Sequence, residues 1–283
     1  NPNDPTHTPK PEYSLGALSY RYRVIPKFSS KFYVNATPRV WDIDFANTNT
    51  KTPPTTGNDW RSILVGGLGA GGRAVYALDV TTPVTLADKE ADIVSSKRVL
   101  WEFTDANLGY VYDAPTLVKT QRYGWVVLVT SGYNNPGGKG YLYVLNPKDG
   151  TILKKLSTDV GDDANPSGLS TIRAYTPSRK DPYVLQAYGG DLRGNVWRFD
   201  LSDPDESKWK VELIAKLSDA TGKEQPITTG VRIEIDQNNN VDRYLFVGTG
   251  RLLGPDDIAD ASVYNSLYVI RDGTRTTAGP VPT

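Results

Sequence analysis

Cysteine and methionine are both missing from the 283 residues, and histidine occurs once, as His7. Without cysteine there is no disulfide, no thiolate metal site and no cysteine nucleophile. The lone histidine lies in a proline-rich leader, which removes most zinc sites and every Ser-His-Asp triad. Net charge is absent as well. The 32 basic side chains balance 32 acidic ones, so no dominating field points to nucleic acid or an anionic membrane as partner. No stretch approaches the ~18 uninterrupted apolar residues of a membrane helix, and Asn1 opens a polar segment rather than a signal peptide. The lack of methionine leads to the expectation of a processed or excised piece of a larger precursor. The lack of cysteine suits an exported protein that avoids stray disulfides, although cytosolic proteins share it.

What is present is a repeat. A four-strand unit recurs at a spacing of roughly 60 residues. Its second strand ends in glycine each time: Ser62–Gly67, Val127–Gly132, Leu185–Gly190 and Tyr244–Gly250. A third strand follows with an aromatic in one fixed place: Tyr76 in Ala74–Asp79, Tyr143 in Tyr141–Asn146, Trp197 in Asn195–Asp200 and Tyr268 in Ser266–Arg271. First strands are predicted at Pro38–Asp44, Ala114–Val118, Ser170–Ala174 and Val231–Ile235. Fourth strands are predicted at Arg98–Phe103, Thr151–Leu156 and Lys210–Ala215, with the last unit lacking or truncating its own. No segment keeps a helical period, although Asp256–Ser262 could make one inserted turn.

Four antiparallel strands per repeat is the blade of an all-β propeller. A sandwich of short strands is the competing architecture, and the shared order of glycine, aromatic and turn favours the propeller. Blades are expected at about 38–103, 114–156, 169–215 and 231–271, after a leader at 1–19 and before a tail at 274–283. Tyr20 to Tyr33 looks like part of another blade. Four blades is the low end of ring closure, so the chain is expected to belong to a larger, seven-bladed modified propeller.

The run Gly189-Gly190-Asp191-Leu192-Arg193-Gly194-Asn195-Val196-Trp197-Arg198-Phe199-Asp200-Leu201 resembles the hallmark strand pair of type IV pilus tip adhesins of the PilC/PilY family. Leu64–Arg73, Ala77–Thr81, Leu100–Phe103, Gly168–Thr171 and Gln225–Thr229 extend the resemblance over about Tyr33 to Ile270. The resemblance implies a non-enzymatic, exported pilus biogenesis factor at the pilus tip, associated with the outer membrane and supporting assembly, twitching motility and attachment. Its implied partners are minor pilins and host or abiotic surfaces. It also implies calcium in a propeller loop.

Independently of the family, Glu234-Ile235-Asp236-Gln237-Asn238-Asn239-Asn240-Val241-Asp242 sets oxygen side chains at alternate positions between two predicted strands. Calcium takes six to eight oxygens, and an EF-hand-like spacing would draw on Glu234, Asp236, Asn238, the Asn240 carbonyl and Asp242. An ordinary Asn-rich hairpin turn has the same composition. The family's acidic loop usually lies just before the hallmark strand pair, where this chain has the basic Thr176-Pro177-Ser178-Arg179-Lys180-Asp181-Pro182. Either the site sits one blade later, at Glu234–Asp242, or it is lost. Asp159, Asp162 and Asp163 with Asn165 read as a solvated connection.

Enzymatic alternatives are a quinoprotein-like dehydrogenase or a glycosidase in the central channel, and a periplasmic scaffold is a third reading. Six tryptophans could floor a planar cofactor, but most sit at repeating strand positions and read as blade-to-blade packing. The glycines from Gly66 to Gly72 lie between two strands with no helix after them, so a phosphate-binding reading fails its context.

Overall fold

The computed structural model describes residues 32–47, 57–82, 98–178, 183–254, 256–259 and 264–282. All of these but Phe32 fall in the compact unit Tyr33–Thr283. The expected leader lies outside the described residues, as does the partial blade save for Phe32 and Tyr33.

Among the described residues fifteen strands make four antiparallel sheets, each a meander in chain order. The first sheet contains β1 (Arg39–Asp44), β2 (Trp60–Gly67), β3 (Val75–Asp79) and β4 (Val99–Phe103). The second contains β5 (Thr116–Thr120), β6 (Gly124–Thr130), β7 (Tyr141–Leu145) and β8 (Ile152–Ser157). The third contains β9 (Ile172–Tyr175), β10 (Gln186–Gly190), β11 (Asn195–Asp200) and β12 (Lys210–Lys216). The fourth has three strands among the described residues: β13 (Arg232–Ile235), β14 (Asp242–Gly248) and β15 (Leu267–Thr274). The inserted turn forms a four-residue helix, α1 (Asp256–Ala259), before β15.

Each sheet packs on the next, so a middle strand is buried on both faces and its sequence is a continuous apolar run rather than an alternation. In β6, Val127 and Val129 join Ile63, Val65, Trp101 and Phe103 in the core between the first two sheets. Their neighbours Val126 and Leu128 face the other way, into a core with Ala187, Trp197 and Phe199 of the third sheet. A third core holds Tyr188, Val196 and Ile214 against Leu245 and Val247 of the fourth. Each such fully buried side chain contributes about 1.5–3 kcal/mol relative to exposure.

The recurring third-strand aromatic has its reason here, since Tyr143 and Trp197 fill these inter-sheet cores. Trp101 adds a polar tie, its indole donating to the Pro147 carbonyl of the second sheet at 2.9 Å. The first strands β5 and β9 approach one another, as do β9 and β13, which puts the opening strand of each sheet on the inner side of a propeller arc. The end sheets each leave one face uncovered among the described residues. Val40 and Val99 are half-exposed on the first, and on the fourth Val269 is half-exposed and Leu267 exposed.

The glycine-rich segment after β2 makes a single tight turn over Gly69–Gly71 and runs into β3. A side chain at Gly71 would place its Cβ 1.4 Å from the Tyr33 carbonyl oxygen, so close backbone approach explains this glycine.

Candidate functional site

The oxygen-rich hairpin joins β13 to β14, and its turn is closed by backbone bonds. The Asp236 amide donates to the Asp242 carbonyl at 2.8 Å and the Asn240 amide to the Asp236 carbonyl at 2.7 Å. Asn240 takes the left-handed conformation, φ 54°, that asparagine tolerates better than most residues. Asn239 ties the far side, its Oδ1 accepting from the amides of Val241 and Asp242 at 2.8 and 3.0 Å.

The carboxylates have partners in this arrangement. Asp236 Oδ1 accepts from the Asn238 amide at 2.8 Å. Glu234 Oε1 lies 2.5 Å from Arg232 Nη2. Asp242 Oδ1 lies 2.6 Å from Arg271 Nη2 on β15, and that guanidinium, with help from Asn239, holds the carboxyl below its usual range. The Asn240 side-chain oxygen accepts from Arg275.

Glu234 and Asp236 share the lining of one cavity of ≈560 Å³ with Tyr244, Phe246 and Val269. Asp242 is turned toward β15 instead. Among the described residues no group of three or more acidic or histidine side chains is gathered as a metal would need. The five oxygen-bearing residues are neighbours along one hairpin, with Glu234 and Asp242 each held by an arginine. The acidic cluster after β8 behaves as a solvated connection. Asp162 Oδ1 accepts from the amides of Ala164 and Asn165 at 2.9 and 2.7 Å, and Asp163 Oδ1 from that of Gly137 at 2.6 Å. In the basic segment after β9, residues 179–182 lie outside the described set.

Two buried polar centres escaped sequence reasoning. The first explains the hallmark run. Asp191, fully buried, accepts at Oδ1 from the Arg193 and Asn195 amides at 2.9 and 3.0 Å. Its Oδ2 accepts from Ser167 Oγ, Asn195 Nδ2 and Trp197 Nε1 at 3.1, 2.8 and 2.8 Å. A carboxylate bonded by five donors can stay buried without a cation. Gly194 completes the turn at φ 75°, where a Cβ would meet the Leu217 carbonyl oxygen at 2.4 Å. The Asp-x-x-Gly-Asn-x-Trp spacing is therefore a hairpin built around one carboxylate.

The second centre lies between the third and fourth sheets. Arg243 is fully buried, and its Nη1 donates to Gln186 Oε1 at 2.9 Å while its Nε donates to the Asp272 carbonyl at 3.0 Å. The Asp272 carboxylate accepts from Arg198 Nη1 at 2.5 Å and from the Tyr188 hydroxyl at 2.6 Å. Burial, together with the adjacent Asp272, pushes the Tyr188 phenol up. Arg243 also stacks 4.6 Å from the Tyr175 ring centroid. The sequence signal was a charge on the apolar face of β14, where Arg243 alternates in step with Leu245 and Val247.

Nothing in these two centres resembles a reacting constellation; each satisfies its own groups. With fold and sites in place, the family model described as the PilY1 beta-propeller domain matches residues 16–283. The chain belongs to the PilY1 beta-propeller family. It is 32% identical over 233 residues to the type IV pilus biogenesis factor PilY1 homolog of Xylella fastidiosa, covering 75% of this chain and 15% of that protein. It is 31% identical over 270 residues to the type IV pilus biogenesis factor PilY1 of Pseudomonas aeruginosa, covering 86% of this chain and 21% of the relative. The solved Pseudomonas aeruginosa PilY1 C-terminal domain superposes with a TM-score of 0.68 at 27% identity, covering 88% of this chain and 50% of that one. The chain therefore spans about a fifth or less of these relatives' length and half of the solved domain.

Proposed function

We propose that this chain is a propeller segment of a type IV pilus biogenesis factor that works through protein contacts rather than catalysis. The observation that carries the proposal is the family match from residue 16 to residue 283. The pilus assignment itself comes from the relatives' names. The buried polar groups support a scaffold role, because Asp191 and Asp272 are used up in holding hairpins and sheets together. In this reading the factor sits at the cell surface on the pilus tip, meets minor pilins, and contributes to attachment and twitching motility. No helix among the described residues is long and apolar enough to cross a membrane.

The test is made in the source bacterium with the full-length gene. Deleting the codons for residues 33–282 is expected to reduce surface pili and shrink the twitching zone, and complementation in trans is expected to restore both. Unchanged piliation and motility, with the shortened protein exported at normal level, would overturn the proposal.

Calcium at Glu234–Asp242 is a second reading, favoured by Glu234 and Asp236 sharing one cavity beside Asp242 in the same hairpin. Binding there requires Asp242 to leave Arg271 and Glu234 to leave Arg232. Calcium would then act on the stability of the fourth sheet and, through it, on the contacts the factor makes.

A further inference from the structure

The inner strands β1, β5 and β9 enclose a groove of ≈430 Å³ that none of the preceding functions uses. This is within the range of roughly 300–1,000 Å³ typical of small-molecule sites. Its lining includes Arg39 and Trp41 of β1, Thr116 of β5, Trp125 of β6, and Arg173 and Thr176 of and after β9. We propose that this groove binds an acidic saccharide, a uronic-acid ring seated on Trp41 with its carboxylate on Arg39.

Four observations lead there. Trp41 is 48% exposed although its neighbours on the same face of β1 and β2, Ile43 and Ile63, are fully buried. A half-open indole is a flat apolar platform, which is what the C–H face of a pyranose ring covers. Trp125 is 8% exposed, yet its indole N–H has no hydrogen-bond partner among the described residues. A buried donor left unpaired is costly; this N–H is closed to solvent although the residue lines the groove, so a ligand oxygen pairs with it only on a small shift of the ring.

The charge has the sign for an anion. Among the described residues no acidic side chain lines the groove. Among the described residues Arg39 has no carboxylate partner, while Arg173 is met by Asp113 Oδ2 at 3.5 Å and keeps 40% of its side chain exposed. A guanidinium recognises a carboxylate through two parallel N–H bonds. Thr116 and Thr176 supply hydroxyls that both donate and accept, as sugar hydroxyls do. An acidic peptide could use the same guanidinium, but it presents alternating side chains rather than one flat face to a single exposed platform. The inference does not depend on the pilus reading.

The experiment is calorimetric titration of the full chain with trigalacturonate, with the neutral maltotriose and with triglutamate, beside variants Arg39→Ala, Trp41→Ala and Trp41→Phe. Both replaced side chains lie outside the cores, and thermal unfolding midpoints equal to wild type establish that the variants fold. Leu267→Ala, exposed on the fourth sheet, is the remote control. Saturable binding of trigalacturonate is expected, weakened about tenfold or more by Arg39→Ala and by Trp41→Ala, partly recovered in Trp41→Phe, unchanged in Leu267→Ala and much weaker for maltotriose. Silence with trigalacturonate at millimolar concentration would overturn the proposal. So would preference for triglutamate, which would make the groove a peptide site, or binding that survives both alanine variants.

Discussion

Arg198 Nη1 lies 2.5 Å from Asp272 Oδ1, and each side chain is only 3% exposed. The pair joins β11 to β15 across the third core, and Arg243 meets the same aspartate through its main-chain carbonyl and, at 3.5 Å, its second carboxylate oxygen. The Gly279 amide closes the arrangement on Asp272 Oδ1 at 3.1 Å, so the segment after β15 is folded back onto the same carboxylate. Two guanidiniums share one acid, with Glu212 Oε2 taking Arg198 Nε at 2.8 Å.

Removing that acid leaves two buried cations short of a counter-charge, a change that typically costs about 3–5 kcal/mol. Asp272→Ala is expected to lower urea stability by that order and to loosen the segment after β15. Asp272→Asn, which keeps the shape and some acceptor capacity, is expected to fall between. Amide hydrogen exchange should show lost protection in β14 and β15 before β6. An Asp272→Ala variant with wild-type stability would show that the pair is not holding the sheets.

Asp191 gives a sharper contrast between acids. Its carboxylate satisfies five donors, and Asp191→Ala strands the Trp197 indole and the Asn195 amide in the interior, at about 1–3 kcal/mol for each unsatisfied group. Asp162→Ala, in the exposed loop, is expected to cost well under that. Gly194→Ala meets both a positive φ and the Leu217 carbonyl, so it should destabilise as Asp191→Ala does. Chemical denaturation of the three variants orders them, and equal losses for Asp191→Ala and Asp162→Ala would sink the account of the hallmark run.

Among the carboxyls held below their ordinary values, Asp105 and Glu224 are partly buried and bear on acid stability. Burial pushes Asp105 up, but Lys155 Nζ at 2.8 Å, the Asn107 amide and the Tyr143 hydroxyl outweigh it and leave the value below the ordinary 3.8. For Glu224, likewise, Arg193 and Lys216 outweigh burial and leave it below 4.5. A folded-state value lower than the unfolded one means stability that is fully present above the ordinary carboxylate range and lost as pH falls through the folded value. Urea midpoints are expected to be level from about pH 7 to 5 and to drop below about pH 4. Asp105→Asn should start lower and fall less steeply, and an unchanged slope would remove Asp105 from the explanation.

Much of this was legible in the chain, and the reasons differ by element. The run Val127-Leu128-Val129-Thr130 reads as a strand closed by glycine, and in the fold its apolar residues are buried on both faces because sheet-on-sheet packing leaves no wet side. Glycine after each second strand and the aromatic in each third strand are local requirements repeated at fixed spacing, so one sequence shows them four times. Arg243 with Asp272 and Gln186 could not be read, because Asp272 lies 29 residues away on the neighbouring strand β15 and Gln186 lies 57 residues away on the third sheet, met only when the two sheets pack. The tryptophans show the same limit. Trp101, Trp125 and Trp197 are packed as their strand positions suggest and Trp209, just before β12, is buried too, whereas Trp41 and Trp60 stay half-exposed on the first sheet. The hairpin at Glu234–Asp242 was readable as a turn rich in oxygen, but of the arginines that reach it only Arg232 is close in sequence, while Arg271 and Arg275 come from β15 and just after it.

Those arginines set the terms for calcium. The ion must compete with Arg271 for Asp242 and with Arg232 for Glu234, and it gains only if the three carboxylates reorient toward one point. Affinity is therefore expected in the weak class of extracellular calcium modules, about 10⁻⁴–10⁻³ M. Thermal unfolding of the chelator-treated protein should rise in midpoint as calcium is added through that range. The Asp236→Ala, Asp242→Ala double variant should lose the response, and magnesium, which demands tighter octahedral geometry, should give a smaller one. Arg271→Ala, which frees Asp242, should shift the response to lower calcium. A midpoint indifferent to calcium in both wild type and Arg271→Ala would mean that this hairpin is a turn and nothing more, leaving the propeller and its inter-sheet centres unaffected.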